Sequence, residues 1–259
     1  MRHTKDLFSL DGRVAIVTGG RGLYGHSISL GLCEMGATVV IASRNGEKCE
    51  EYAAQLREQG YDAVGMSLDL GSDESIKKFA KDVYEKYGKI DILVNNAVDR
   101  SNLTSLAEAT RQKLQDSVNT NLNGQILLSQ AVLEYMIPVK KGNIINISSM
   151  RGLDCPHFPY YEKDQAINYT TEKWAMVGMT KYMAGRYGKD GIRVNCVAPG
   201  GYNPDQGGTE FWEIYKANCP LHCCANEDDI KGPVAFLASD ASGYVTGATL
   251  VMDGGWTIW

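Results

Sequence analysis

Short apolar runs and longer segments with helical spacing alternate along the whole chain. The runs are Val14–Val17, Val39–Ala42, Ala63–Ser67, Ile90–Val94, Asn143–Ile147, Arg193–Val197 and Leu250–Met252. Most are continuous rather than alternating in polarity, which is the pattern of strands buried on both faces. Between them, Leu23–Met35, Glu47–Gln59, Ser72–Tyr87, Arg111–Ile137, Gln165–Tyr187 and Glu227–Ser239 repeat apolar residues at helical intervals. Strand and helix in turn predict the α/β class, as a doubly wound, seven-stranded parallel sheet in a three-layer α/β/α sandwich. Such sheets bind ligands in a crevice at the carboxyl ends of the strands. No linker, repeat or low-complexity stretch divides residues 1–259, so a single domain is expected. The two least regular stretches, 152–166 and 200–226, are long enough to read as functional loops.

Composition narrows the classes of function. Hydrophobic residues make up 44 % of the chain and charged residues 22 %, with a net charge of −5. That balance disfavours a general nucleic-acid or anionic-membrane binder, both of which need basic patches. No apolar run approaches the length of a membrane span. The amino-terminal MRHTKDLFSLDGR lacks an apolar signal core. Seven scattered cysteines, Cys33, Cys49, Cys155, Cys196, Cys219, Cys223 and Cys224, read as reduced thiols of a cytoplasmic protein. The last three cluster with His222, but adjacent residues ligate one ion poorly and no second pair stands at finger spacing, so a loop and no metal are expected.

The first apolar run leads into TGGRGLYG, Thr18 to Gly25, and then into a helix. Glycines Gly19, Gly22 and Gly25 allow a sharp turn, a close approach of backbone to a pyrophosphate, and tight helix packing. The helix start then offers amide groups and positive dipole to phosphates. At the end of the second run, Ser43 and Arg44 stand where NAD-preferring folds usually place a carboxylate. A guanidinium can grip a 2′-phosphate, so NADP(H) is favoured, with NAD(H) possible. Arg21 can add positive charge near the same phosphate, and Arg44 has an alternative reading as a solvated strand-end residue.

Tyr169 and Lys173 lie four apart in one long helix and share a face. An ammonium nearby stabilises a phenolate and brings the phenol toward useful acid–base chemistry. TGGRGLYG, NNA (Asn95–Ala97), NISS (Asn146–Ser149), YTTEK (Tyr169–Lys173), IRVNCVAPG (Ile192–Gly200) and FLASDASGYVTGATLVMDGG (Phe236–Gly255) stand in order along nearly the whole chain. With these motifs the chain resembles the short-chain dehydrogenase/reductase family. The resemblance implies a Rossmann-type fold, a nicotinamide cofactor and hydride transfer at a carbonyl carbon. It implies Tyr169 as general acid/base, Lys173 as its pKa-lowering partner and ribose ligand, and Ser149 as a hydrogen-bond partner of the substrate oxygen. Asn121 in TNLNG would hold a proton-relaying water. Asp69 with Leu70, Asn95 with Ala97, and Pro199 with Gly200 are implied cofactor contacts. Alternatives stay open: Ser148 could be the contact rather than Ser149, Asn121 a helix-bend residue, and Asp69 a helix cap.

Departures from the family pattern fall at the phosphate-binding turn and in the stretches that point at the substrate. Leu23 stands where the middle glycine of the turn is expected, and Gly22 comes one place early. Val98 replaces the glycine that usually follows NNA. Ser149 and Tyr169 are 20 positions apart, where about a dozen is usual for the family. The extra segment carries His157, Phe158, Tyr160 and Tyr161; Tyr161 has neither Lys163 nor Lys173 at a catalytic offset. Asn203, Gln206 and Trp212 fill the stretch after PGG. His157, Tyr161, Asn203, Gln206, Trp212 and Ser149 are therefore the expected substrate contacts, suited to a sugar, sugar acid or sugar-derived ligand. A 3-oxoacyl-thioester reductase and a non-catalytic NADP-binding redox sensor are the alternatives. A homo-oligomer, tetramer or dimer, is implied by the family's pairing through two long helices, and exposed Trp256 and Trp259 would add to it.

Overall fold

The computed structural model describes residues 1–161 and 164–258. Lys163 and Trp259 lie outside the described residues. Seven strands form one sheet: β1 (Val14–Thr18), β2 (Thr38–Ser43), β3 (Ala63–Ser67), β4 (Ile92–Asn95), β5 (Gly142–Ile147), β6 (Ile192–Pro199) and β7 (Thr249–Met252). All neighbours are parallel, in the order β3-β2-β1-β4-β5-β6-β7. The chain order reverses beside β1, which pairs with β2 on one side and β4 on the other, and this switch point opens the crevice. The helices are α1 (Thr4–Phe8), α2 (Leu23–Glu34), α3 (Gly46–Glu58), α4 (Asp73–Tyr87), α5 (Arg111–Val118), α6 (Gly124–Met136), α7 (Ile167–Tyr187), α8 (Glu210–Asn218) and α9 (Lys231–Ala238).

Strand periodicity divides the core between the two faces. Val14 and Ile16 of β1 pack with α4, α6 and α7, whereas Ala15 and Val17 pack with α2, α3 and α9. Each face buries apolar side chains, which is why the runs are continuous. In α4, Ile76, Phe79, Ala80 and Val83 are buried at helical intervals. Ser72 accepts the Ser75 amide at its start, and Gly88 ends it in the left-handed region at φ 70°.

Three expectations need correction. Arg111–Ile137 is not one α-helix: a π-turn at Asn119–Asn123 divides α5 from α6. Nor is 200–226 wholly loop, because it contains α8. Trp256 is also not exposed. It is 5 % accessible and stacks on Tyr215 with ring centroids 4.4 Å apart, so it closes its own chain's core rather than meeting a neighbour. Among the described residues no helix is long and apolar enough to cross a membrane.

Candidate active site

A cleft of about 660 Å³ opens over the carboxyl ends of β1, β2, β4, β5 and β6. One end is shaped by the glycine turn. Gly19 adopts φ +63°, and a Cβ on Gly25 would stand 2.0 Å from the Gly19 carbonyl oxygen, so α2 can approach only as glycine. Gly22 precedes α2 without a side-chain cap, leaving the helix start to face the cleft. Gly19, Arg21, Gly22 and Leu23 all line the cavity. Asn96 holds the turn from β4, its Nδ2 donating to the carbonyls of Thr18 (2.9 Å) and Gly19 (3.3 Å).

Ser43 and Arg44 line the same end. Arg44 is not free there: its Nη1 lies 3.1 Å from Oδ2 of Asp99. The Ser101 hydroxyl and amide, then Arg44, hold the Asp99 carboxyl below its usual range, so a charged carboxylate sits in the cleft wall. Leu70 and Ala97 line the cavity, but Asp69 and Asn95 do not. Asp69 turns onto the Gly71 amide at 2.9 Å, the local bond that short acidic side chains favour, while Ser72 caps α4. Asn95 is fully buried and donates to Ser129 Oγ (3.0 Å) and Asn146 Oδ1 (2.9 Å), stitching β4 to α6 and β5.

The other end of the cleft gathers Ser149, Tyr169, Lys173, Pro199 and Gly200. Ser148 Oγ donates to the Lys173 carbonyl at 2.7 Å, whereas Ser149 Oγ only accepts the Arg151 amide at 3.2 Å and keeps its proton to donate. Of the two neighbours, Ser149 is therefore the one whose hydroxyl proton has no acceptor among the described residues. Lys173 Nζ donates to the Ile147 carbonyl at 2.8 Å and lies 5.6 Å from the Tyr169 ring centre. Burial pushes this ammonium down to about 8, against the pull of Cys196 and Glu172. Asn121 does not line the cavity, although its neighbour Thr120 does. In the π-turn its Oδ1 accepts the Asp99 amide (2.7 Å), and its Nδ2 donates to the Asp99 carbonyl (2.9 Å) and to Glu172 (3.0 Å).

Of the expected substrate side chains in the irregular stretches, Trp212 reaches the cleft, and four others do not line it. His157 is exposed and meets Tyr160 edge-on at 4.6 Å. The Tyr161 hydroxyl accepts from Arg151, and its ring packs on Phe211 at 5.0 Å. Asn203 donates to the Gly207 carbonyl at 2.7 Å. Gln206 donates to Asn203 and Cys224 carbonyls and accepts the Cys224 amide, so it fixes the loop itself. The polar groups of Tyr161, Asn203 and Gln206 are spent on their own segments, where neighbouring protein groups compete for them.

Comparison with known proteins identifies the family. The sequence model described as Enoyl-(Acyl carrier protein) reductase matches residues 22–257. The chain is 36 % identical over 252 residues to the 3-oxoacyl-(acyl-carrier-protein) reductase FabG of Pseudomonas aeruginosa, covering 95 % of this chain and 98 % of that protein. It is 34 % identical over 259 residues to D-threitol dehydrogenase of Mycolicibacterium smegmatis, covering 97 % and 95 % respectively. The solved structure of a gluconate 5-dehydrogenase from Burkholderia cenocepacia, in complex with NADP and tartrate, superposes with a TM-score of 0.89 at 32 % identity. That match covers 99 % of this chain and 100 % of the other. The chain belongs to the short-chain dehydrogenase/reductase family. As a member it is an oxidoreductase acting on CH–OH groups.

In this short-chain dehydrogenase/reductase several cleft residues escaped sequence reasoning: Tyr24, Asn96, Asp99, Arg100 and Tyr202 line the cavity, and Glu172 lies behind it. Asn96 and Glu172 stand inside the motifs NNA and YTTEK, and so were within reach. The residues present fit a dinucleotide. The glycine cradle leaves room for phosphates, and the buried Tyr24 hydroxyl has no partner among the described residues. Burial raises the Tyr24 phenol, with Tyr215, Asp229, Tyr202 and Tyr169 adding to it, so it remains a hydrogen-bond donor.

Proposed function

We propose that this protein interconverts a secondary alcohol and a ketone with a nicotinamide cofactor, on a sugar, sugar acid or sugar-derived substrate. The observation that carries this reading is the grouping of Ser149, Tyr169 and Lys173 in one wall of the cleft whose other end is the glycine cradle. The nicotinamide, when bound, supplies or accepts the hydride. Ser149 Oγ donates to the substrate oxygen and orients it. The Tyr169 hydroxyl gives its proton to that oxygen in reduction and removes it in oxidation. The Lys173 ammonium favours the phenolate through its charge and holds the ribose. Asn121 acts from behind as part of the wall beside a relay water, its own side chain being committed to Asp99 and Glu172.

Gly19, Arg21, Gly22, Leu23, Ser43, Arg44, Leu70, Ala97, Pro199 and Gly200 are the cofactor residues in this reading. NADP(H) is favoured through Arg44, with NAD(H) the alternative. The gluconate 5-dehydrogenase solved with NADP supports the first, and the threitol enzyme supports the polyol class. The 36 % identity to a 3-oxoacyl reductase favours a second reading, a hydroxyacyl-thioester substrate. We read residues 1–259 as one catalytic domain of a cytoplasmic homo-oligomer, a tetramer or dimer. Exposed Ile126 on α6 and Trp174 and Tyr182 on α7 are the apolar surface such pairing would cover.

An oxidation screen over polyols, sugar acids and hydroxyacyl thioesters with both cofactors separates the substrate readings. Tyr169→Phe should lose ~10²–10⁴-fold in turnover while cofactor affinity, read by nucleotide fluorescence, is kept. A variant as active as the parent would refute the assigned chemistry. A parent that binds NADP yet turns over none of the panel would favour the redox sensor.

A further inference from the structure

Glu172, between Tyr169 and Lys173 in the sequence, is 3 % exposed. A carboxylate this deep persists only where donors or cations meet it. Its Oε1 accepts from Ser117 Oγ at 2.6 Å, and its Oε2 accepts from Asn121 Nδ2 at 3.0 Å. Asn121 in turn clasps the Asp99 amide and carbonyl. A continuous hydrogen-bonded path therefore runs from the helix carrying Tyr169 and Lys173, through the π-turn, to the Asp99–Arg100 segment of the cleft wall.

Lys173 is 4 % exposed. Its Nζ donates to the Ile147 carbonyl at 2.8 Å and contacts Met176 Sδ at 3.5 Å, and among the described residues no carboxylate pairs with it directly. The groups acting on it from packed elements are Cys196 on β6, Arg100 after β4, and Glu172 on its own helix. Burial and Arg100 work against the ammonium; Cys196 and Glu172 work for it. Burial raises the Glu172 carboxyl as well, while Ser117, Asn121 and Lys173 draw it back.

We propose that Glu172 is a positioning residue of the reaction centre, a buried carboxylate that locks Asn121 and the Asp99–Arg100 segment to the catalytic helix and adds its negative charge to the surroundings of Lys173. The inference rests on the roles proposed above for Tyr169 and Lys173. A merely structural Glu172 would hold α5 to α7 and leave the lysine's titration untouched.

The test needs no substrate. Protein carrying ¹³C at lysine ε-carbons is titrated by NMR, with the Lys173 resonance identified by its loss in Lys173→Met. The parent midpoint is expected at about 8. In Glu172→Gln, neutral and nearly isosteric, it should fall by roughly 0.5 unit or more. In Glu172→Asp, which keeps the charge but cannot span both partners, the midpoint should stay while the Asp99 amide exchanges its hydrogen roughly tenfold faster. An unmoved midpoint in the first variant overturns the charge role. Parental exchange in the second overturns the positioning role, and that variant still decides the proposal if the first fails to fold. If Tyr169→Phe keeps turnover, the proposed reaction fails and the lysine titration remains readable. If Tyr169→Phe is inert and the midpoint unmoved, this inference alone fails.

Discussion

The two ends of the cleft are built on opposite electrostatic plans. At the nucleotide end, Arg44 and Asp99 form an ion pair in which the arginine side chain is 67 % exposed. Such a pair is screened by salt, contributes little to stability and can exchange partners when a phosphate arrives. At the chemical end, Lys173, Glu172 and Asn121 are all nearly inaccessible, and their interactions are fixed by packing. Removing one member of a buried set leaves the others unpaired. The first end is therefore suited to choosing between ligands, and the second to holding one arrangement of atoms.

This contrast predicts a gradient of effects. Lys173→Met should cost the most, ~10²–10⁴-fold in turnover, because it removes the charge that favours the Tyr169 phenolate; steady-state assays beside cofactor titration check it. Next is pH-dependent stability. The lysine is lowered to about 8 in the folded chain, below its ordinary value of 10.5. Between those values the unfolded chain binds the extra proton, so this group's contribution to stability rises with pH in that window. Urea melts at pH 8 and 9.5 should show parent minus Lys173→Met changing by about 1.5 kcal/mol in favour of the parent. A flat difference would mean that Lys173 is not desolvated as described. Arg44→Asp places a second carboxylate beside Asp99, and should weaken NADP about tenfold or more while NAD changes far less. Equal loss for both cofactors removes Arg44 from 2′-phosphate recognition. The smallest effect is Asp99→Asn, expected to improve the NADP-to-NAD affinity ratio by ~3-fold, and less at high salt.

The same contrast explains what could be read from the sequence. Strands buried on both faces leave continuous apolar runs, so Val39–Ala42 and Asn143–Ile147 stand out and fall within β2 and β5. The glycine turn and the Tyr169–Lys173 spacing are local patterns, and folding preserves local patterns. Asn203 and Gln206 illustrate the limit: their polarity does not reveal whether a hydrogen bond goes to a ligand or back to the loop. Helix α8 is hidden in the sequence because Trp212 reads as a substrate contact and Thr209 gives the helix no side-chain cap. The Arg44–Asp99 pair joins residues 55 positions apart, which no spacing rule anticipates.

The π-turn at Asn119–Asn123 has a consequence for how this chain could change in length. It amounts to one surplus residue in an otherwise regular spiral. Deleting a single amino acid there would let α5 run unbroken into α6 with both helices close to their present phase, because the wide turn is what absorbs the extra residue. The Ser117 hydroxyl would stay close to the carboxylate it now serves, whereas the tightened turn would draw Asn121 off Asp99. A one-codon deletion at this spot should therefore leave the fold standing, with a more regular helix, while it frees the Asp99 segment of the cleft wall.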